Sequence, residues 1–108
     1  MTLSDRIKIS KRVYVIGNGG SYANAQHMVN DLLSVGVKAY CMDPATLTAF
    51  SNDYGYDEAF SRWLKVVGES WDLLIALSGS GKSPNILNAI RTAETIGMDV
   101  WKEFGAAQ

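Results

Sequence analysis

Residues 12–22 read Arg-Val-Tyr-Val-Ile-Gly-Asn-Gly-Gly-Ser-Tyr, and what flanks the glycines decides the fold. Arg12 to Ile16 is a β-branched and aromatic run, the side chains that suit a packed, pleated surface. Gly17-Asn18-Gly19-Gly20 stops it. From Ser21 to Ser34 the apolar residues Ala25, Met28, Val29 and Leu32 recur at i, i+3, i+4 and i+7, which predicts a helix, with Gly36 beyond its end. Strand, glycine turn and helix make the first half of a βα unit.

The pattern repeats along the chain. Lys38 to Met42 predicts a second strand, after which Asp43 and Pro44 cap and open a short helix over Ala45 to Phe50 that Ser51-Asn52-Asp53 breaks. Tyr56 to Val67 carries Ala59, Phe60, Trp63, Leu64 and Val67 at helical spacing, ending at Gly68. Asp72 to Leu77 is a near-continuous apolar run, as expected of a strand buried on both faces. Ser78-Gly79-Ser80-Gly81-Lys82-Ser83 follows, and Pro84 opens a helix through Ile86, Leu87, Ile90 and Ala93 to Gly97. Asp99-Val100-Trp101 begins a fourth strand, and Lys102 to Gln108 predicts no further helix. Strands alternating with helices predict an α/β fold with a parallel sheet, incomplete on its C-terminal side, whose ligands sit at the carboxyl ends of the strands.

Composition narrows the function. A chain of 108 residues, 47% hydrophobic and 19% charged, forms one domain over residues 1–108. Ten Lys plus Arg against eleven Asp plus Glu leave a net charge of -1 and no basic stripe, which argues against nucleic acid as a direct ligand. The single cysteine, Cys41, excludes a disulfide framework and is expected to be a small buried hydrophobe in a reducing cytoplasm. No apolar stretch reaches the roughly 18–20 residues of a membrane helix, and the polar start lacks a signal-peptide core, so a soluble cytoplasmic protein without a membrane partner is expected.

Both glycine-serine loops fall at strand ends. Such a turn presents backbone N–H groups at the positive end of a helix dipole, and the second loop adds the hydroxyls of Ser78, Ser80 and Ser83, an arrangement suited to a phosphate monoester. The alternative is an ordinary turn with Ser83 as N-cap. Residues 76–83, ALSGSGKS, miss the nucleotide P-loop because Ala76 replaces its first glycine, and Tyr22 stands where a dinucleotide fingerprint needs its third glycine. On the first long helix Gly20, Asn24, His27 and Asp31 share a polar face. His27 and Asp31, at i and i+4, suit a metal pair or an acid–base pair, or else a solvated face. Asn52 and Asp53 either reach the same crevice or make a turn, while Phe60, Trp63, Trp71 and Trp101 are expected in the core or a subunit interface.

Gly17-Asn18-Gly19-Gly20-Ser21, Asn24-Ala25-Gln26-His27, Ser51-Asn52-Asp53-Tyr54-Gly55, Phe60-Ser61-Arg62 and Leu77 to Ser83, in this order, resemble the phosphoheptose isomerases of the sugar isomerase (SIS) family, from about residue 12 to 101. The resemblance implies a flavodoxin-like three-layer αβα sandwich and a homo-oligomer, dimer or tetramer, with active sites between subunits. It also implies ketose–aldose conversion of sedoheptulose 7-phosphate to glycero-manno-heptose 7-phosphate through an enediol. By position, Ser78, Gly79, Ser80 and Ser83 would hold the phosphate, and Asn18, Gly19, Gly20, Ser21, Asn52 and Asp53 would bind the sugar. His27 matches a zinc-ligand position, and Asp31 stands where the family has a glutamate that touches the metal and moves the proton. Asn24 replaces an aspartate, Gly79 a threonine and Lys82 an asparagine. The family's long N-terminal helical segment and its later glutamine and second histidine have no counterpart here, so an implied zinc site is left with two ligands, below the usual three or four. Two readings follow from this: an isomerase shortened at both ends, or a non-catalytic SIS module that senses a phosphosugar or assembles with a protein partner.

Overall fold

Strand β1 (Val13–Ile16) lies between β2 (Ala39–Tyr40) and β3 (Leu73–Ser78), and β4 (Asp99–Phe104) completes a four-stranded parallel sheet in the order β2-β1-β3-β4. The structure is a computed structural model and describes residues 1–105; the last three residues of the sequence-derived domain lie outside the described residues. Among the described residues five helices cover the sheet: α1 (Leu3–Ile9), α2 (Gly20–Ser34), α3 (Pro44–Tyr54), α4 (Ala59–Val67) and α5 (Pro84–Ile96), with a 3-10 turn at Tyr56–Glu58 between α3 and α4.

The two-residue period of a strand sorts its side chains into two cores. Val13, Val15, Leu73, Ile75 and Leu77 pack with Ala25 and Val29 of α2, flanked by Leu3 and Ile7 of α1. Tyr14, Ile16, Leu74 and Ala76 face the other way, onto Phe60 and Leu64 of α4 and Ile86, Ala89, Ile90 and Ala93 of α5. The result is the three-layer αβα sandwich expected from the sequence. Phe60 is wholly enclosed, and burial of such a side chain contributes about 1.5–3 kcal/mol.

The strand order locates the site. From β1 the chain moves outward to β2, then crosses back to β3 on the other side of β1, so the connections after β1 and β3 leave in opposite directions. The two connections diverge beyond the paired strand ends and leave a crevice at the position where α/β sheets bind ligands.

Several boundaries differ from expectation. Helix α1 was not foreseen, although Thr2 and Asp5 form a reciprocal capping box in which each side chain accepts from the other's backbone N–H. Asp43 caps α3 by accepting from the backbone N–H of Thr46, but the helix does not break at Ser51-Asn52-Asp53 and runs to Tyr54. Its last turn is held by the Phe50–Tyr54 ring contact at 5.5 Å and by Arg62 stacked 4.2 Å over Tyr54; Gly55, at φ 96°, then ends it. Strand β2 keeps two of the five expected residues. Strand β4 instead runs on to Phe104, because every residue pairs with β3 up to Ser78–Phe104 and the Gly105 N–H donates to the Ser78 carbonyl at 2.8 Å.

Two side chains are corrected as well. Cys41 is half-buried rather than enclosed, and desolvation, with Asp43 nearby, pushes its thiol pKa up. Trp71 is 77% exposed, which leaves only the interface half of its core-or-interface expectation, whereas Trp63 stands edge-on to Tyr14 and Trp101 is partly covered, under the Arg6 guanidinium. Among the described residues no helix is long and apolar enough to cross a membrane.

Candidate functional site

Both turns at the crevice depend on glycine. A Cβ on Gly17 would sit 2.6 Å from the Ser21 carbonyl oxygen, so only glycine allows α2 to start this close to the end of β1. Gly19 adopts φ 54°, ψ -119°, which a side chain would strain. Across the crevice, Gly81 has φ 68° and lies under the ring of Phe104, so the end of β4 backs the second turn.

Between the turns lies a cavity of about 90 Å³ lined by Asn18, Ser21, Leu77, Ser78, Gly79, Ser80 and Ser83. It is well below the roughly 300–1,000 Å³ of a pocket that encloses a drug-sized ligand, so it suits one compact group. Among the described residues no acidic side chain lines it. Ser83 occupies the N-cap position of α5, yet its side chain makes no capping bond, and α2 likewise starts without a side-chain cap. Ser83 thus takes the N-cap position before Pro84 that the ordinary-turn alternative expects, but without the side-chain bond of a serine cap. Two uncapped helix starts, each carrying the partial positive charge of its dipole, flank one small polar cavity.

The hydroxyls are arranged to donate. Ser78 Oγ accepts from the Gly81 N–H and Ser80 Oγ from the Lys82 N–H, both at 3.0 Å. With the oxygens engaged as acceptors, each O–H is left as a donor for an incoming oxyanion. Lys82, exposed in the same turn, adds positive charge.

The other expected residues are distributed unevenly. Gly19 and Gly20 form the turn and first position of α2, beside the cavity. Asn52 and Asp53 do not line it; they are exposed in the last turn of α3, where Asn52 donates to Asp53 at 3.3 Å. Tyr56, just beyond them, donates to Asn18 Oδ1 at 2.8 Å, so the hydroxyl of Tyr56, rather than either of those two side chains, reaches the first loop. His27 and Asp31 do pair, with Nε2 and Oδ2 3.4 Å apart, but both are more than two-thirds exposed. At a rise of about 1.5 Å per residue His27 lies roughly 10 Å along α2 from Gly20.

Zinc was the expected metal. Among the described residues no three His, Cys, Asp or Glu side chains cluster, so this chain supplies at most the His27–Asp31 pair, and two donors do not fit a zinc site built within one chain.

Sequence reasoning missed Asn85 and Tyr56. Asn85 is wholly buried in the first turn of α5 and exchanges two hydrogen bonds of 2.9 Å with Asn18. A polar residue on the sheet-facing side of an otherwise apolar helix stripe was the available signal.

A family model described as SIS domain matches residues 2–101. The chain belongs to the SIS domain family. This SIS chain is 41% identical over 107 residues to a phosphoheptose isomerase of Campylobacter concisus (strain 13826), a match covering 91% of this chain and 56% of the relative. Among solved structures, phosphoheptose isomerase GmhA from Neisseria gonorrhoeae superposes with a TM-score of 0.86 at 32% identity, over 95% of this chain and 60% of that one. A phosphoheptose isomerase from Francisella tularensis gives a TM-score of 0.82 at 36% identity, over 86% and 51%. The chain thus has the SIS fold and spans about half the length of the curated relatives it matches.

Proposed function

We propose that this SIS chain binds the phosphate of a heptose phosphate between its two glycine-serine loops and takes part in the isomerisation of sedoheptulose 7-phosphate to glycero-manno-heptose 7-phosphate. The observation that carries the reading is the convergence of two uncapped helix starts and free hydroxyl donors on a single cavity sized for one anionic group. Ser78, Gly79, Ser80 and Ser83 hold the phosphate, and Asn18, Gly19, Gly20 and Ser21 bind from the opposite wall, with Asn52 and Asp53 reaching the sugar from α3. The likeness to named phosphoheptose isomerases supports this substrate.

With the phosphate at the start of α2, the open sugar chain runs along the helix toward His27 and Asp31. The Asp31 carboxylate takes the proton from C1 of the ketose and returns it to C2 of the enediol, while His27 carries the proton between the two enediol oxygens. The exposure of this pair calls for a covering surface, which a homo-oligomer in the cytoplasm supplies by burying the α2 face between subunits. No step is assigned to zinc.

The exposed pair also favours a second reading, a phosphosugar-sensing module without turnover: the cavity is formed within this chain, whereas the His27–Asp31 pair is not enclosed by it. Proton NMR of sedoheptulose 7-phosphate with the protein separates the two. Aldose signals that grow with the protein and are absent with His27→Ala establish the isomerase. Line broadening without product establishes the binding module, and neither effect overturns the phosphosugar reading.

A further inference from the structure

A buried primary amide needs partners for both its N–H and its carbonyl, and Asn85, with no exposed surface, finds them on one side chain 67 residues away. Asn18 Nδ2 donates to Asn85 Oδ1, and Asn85 Nδ2 donates to Asn18 Oδ1, each at 2.9 Å. Neither amide can rotate without breaking both bonds. The Tyr56 hydroxyl donates to the remaining lone pair of Asn18 Oδ1 at 2.8 Å, from the 3-10 turn that follows α3. The carbonyl of Asn18 is then saturated, and one N–H of its amide is left over in a side chain that lines the phosphate cavity.

We infer that Asn85, assisted by Tyr56, is a positioning residue: it clasps the loop after β1 to the first turn of α5, so that both helix starts address the same anion and Asn18 offers the ligand a single, fixed N–H. This rests on the phosphate-site reading above. The clasp joins the two connections that leave the sheet in opposite directions at the crevice, beyond Ile16 and Ala76, the last residues at which β1 and β3 pair. An apolar side chain of similar size would fill the space beside Asn18 without fixing the rotation of its amide, whereas a satisfied buried polar pair specifies one arrangement.

The test uses the full chain with Asn85→Leu, Asn85→Asp, Tyr56→Phe, Asn18→Ala and the Asn18→Ala/Asn85→Leu pair. It reads the backbone amide NMR shifts of Asn18 to Ser21, the affinity for inorganic phosphate and sedoheptulose 7-phosphate, and the thermal midpoint. Binding is measured where each variant is fully folded, so lost stability alone does not move it. Asn85→Leu is expected to shift the loop amides and weaken binding about tenfold, with little further effect once Asn18 is already alanine. Asn85→Asp keeps the acceptor but cannot donate, and Tyr56→Phe removes one link at an exposed ring; both are expected to weaken binding several-fold. Should Asn85→Leu not fold, those two variants decide the question in the same way. Unshifted amides with unchanged affinity, or additive losses in the double variant, would overturn the clasp. If the unaltered chain binds neither phosphate probe, the site reading falls, and the loop amides still decide whether Asn85 positions Asn18.

Discussion

The crevice between β1 and β3 and the polar face of α2 carry similar polar chemistry but are built differently. At the crevice, Ser21 and Ser78 are buried, the glycines are used for close approach or positive φ, and Asn18 is held from two directions. On the α2 face, the side chains of His27 and Asp31 pair with each other in solvent and with no further side chain among the described residues. A group built into the fold by several elements is preorganised by one chain. A pair on one exposed helix face needs a surface from elsewhere to become a site.

The sharpest break in this comparison comes from His27→Ala. It is expected to remove about 10²–10⁴-fold of any isomerase turnover while leaving sedoheptulose 7-phosphate affinity unchanged, as read by product NMR and by calorimetry. A parallel loss of affinity would mean that the two regions are one site. Ser80→Ala with Ser83→Ala acts on the other side and should weaken phosphate binding by about 1–3 kcal/mol, with the fold intact by circular dichroism.

Gly17→Ala probes how tightly the crevice is built. The added Cβ meets the Ser21 backbone at 2.6 Å, and the shift of α2 that relieves it should lower stability in urea by about 1–3 kcal/mol and weaken phosphate binding with it. The smallest effect is expected at Asp43, whose hydrogen bonds from the Thr46 side chain and backbone hold its pKa below the ordinary carboxylate value. A depressed folded-state pKa means that this contribution is present above the ordinary value of 3.8 and is lost as the pH falls through the folded pKa. Asp43→Asn should therefore flatten the acid limb of the stability profile slightly, measured as the urea midpoint against pH, without changing phosphate affinity.

Much of this was legible in one dimension because it is local. A β-branched run, a glycine turn and an apolar stripe act within a few residues of one another, and so β1, α2, β3 and α5 fall where the pattern puts them. The same holds for the two loops and the His27–Asp31 pair, which need only a helix to meet. Helix α3 is different: Ser51 to Asp53 look like a turn, and the stacking of Arg62, from the next helix, over Tyr54 helps keep them helical. Strand β4 is weakly apolar by itself and extends to Phe104 because β3 offers it a full ladder.

By itself, then, the sequence determined the alternation of strands and helices, the parallel sheet, the glycine-serine loops at strand ends and the identity of the cavity's hydroxyls. Only the tertiary structure decided that those loops face one another across a cavity, that Ser83 leaves its helix uncapped, that Trp71 is outside, and that Asn18 is matched to Asn85. The reason is physical: hydrogen bonding between residues 67 positions apart depends on strand order, which sets β1 beside β3 and so brings the loop after β1 next to the start of α5.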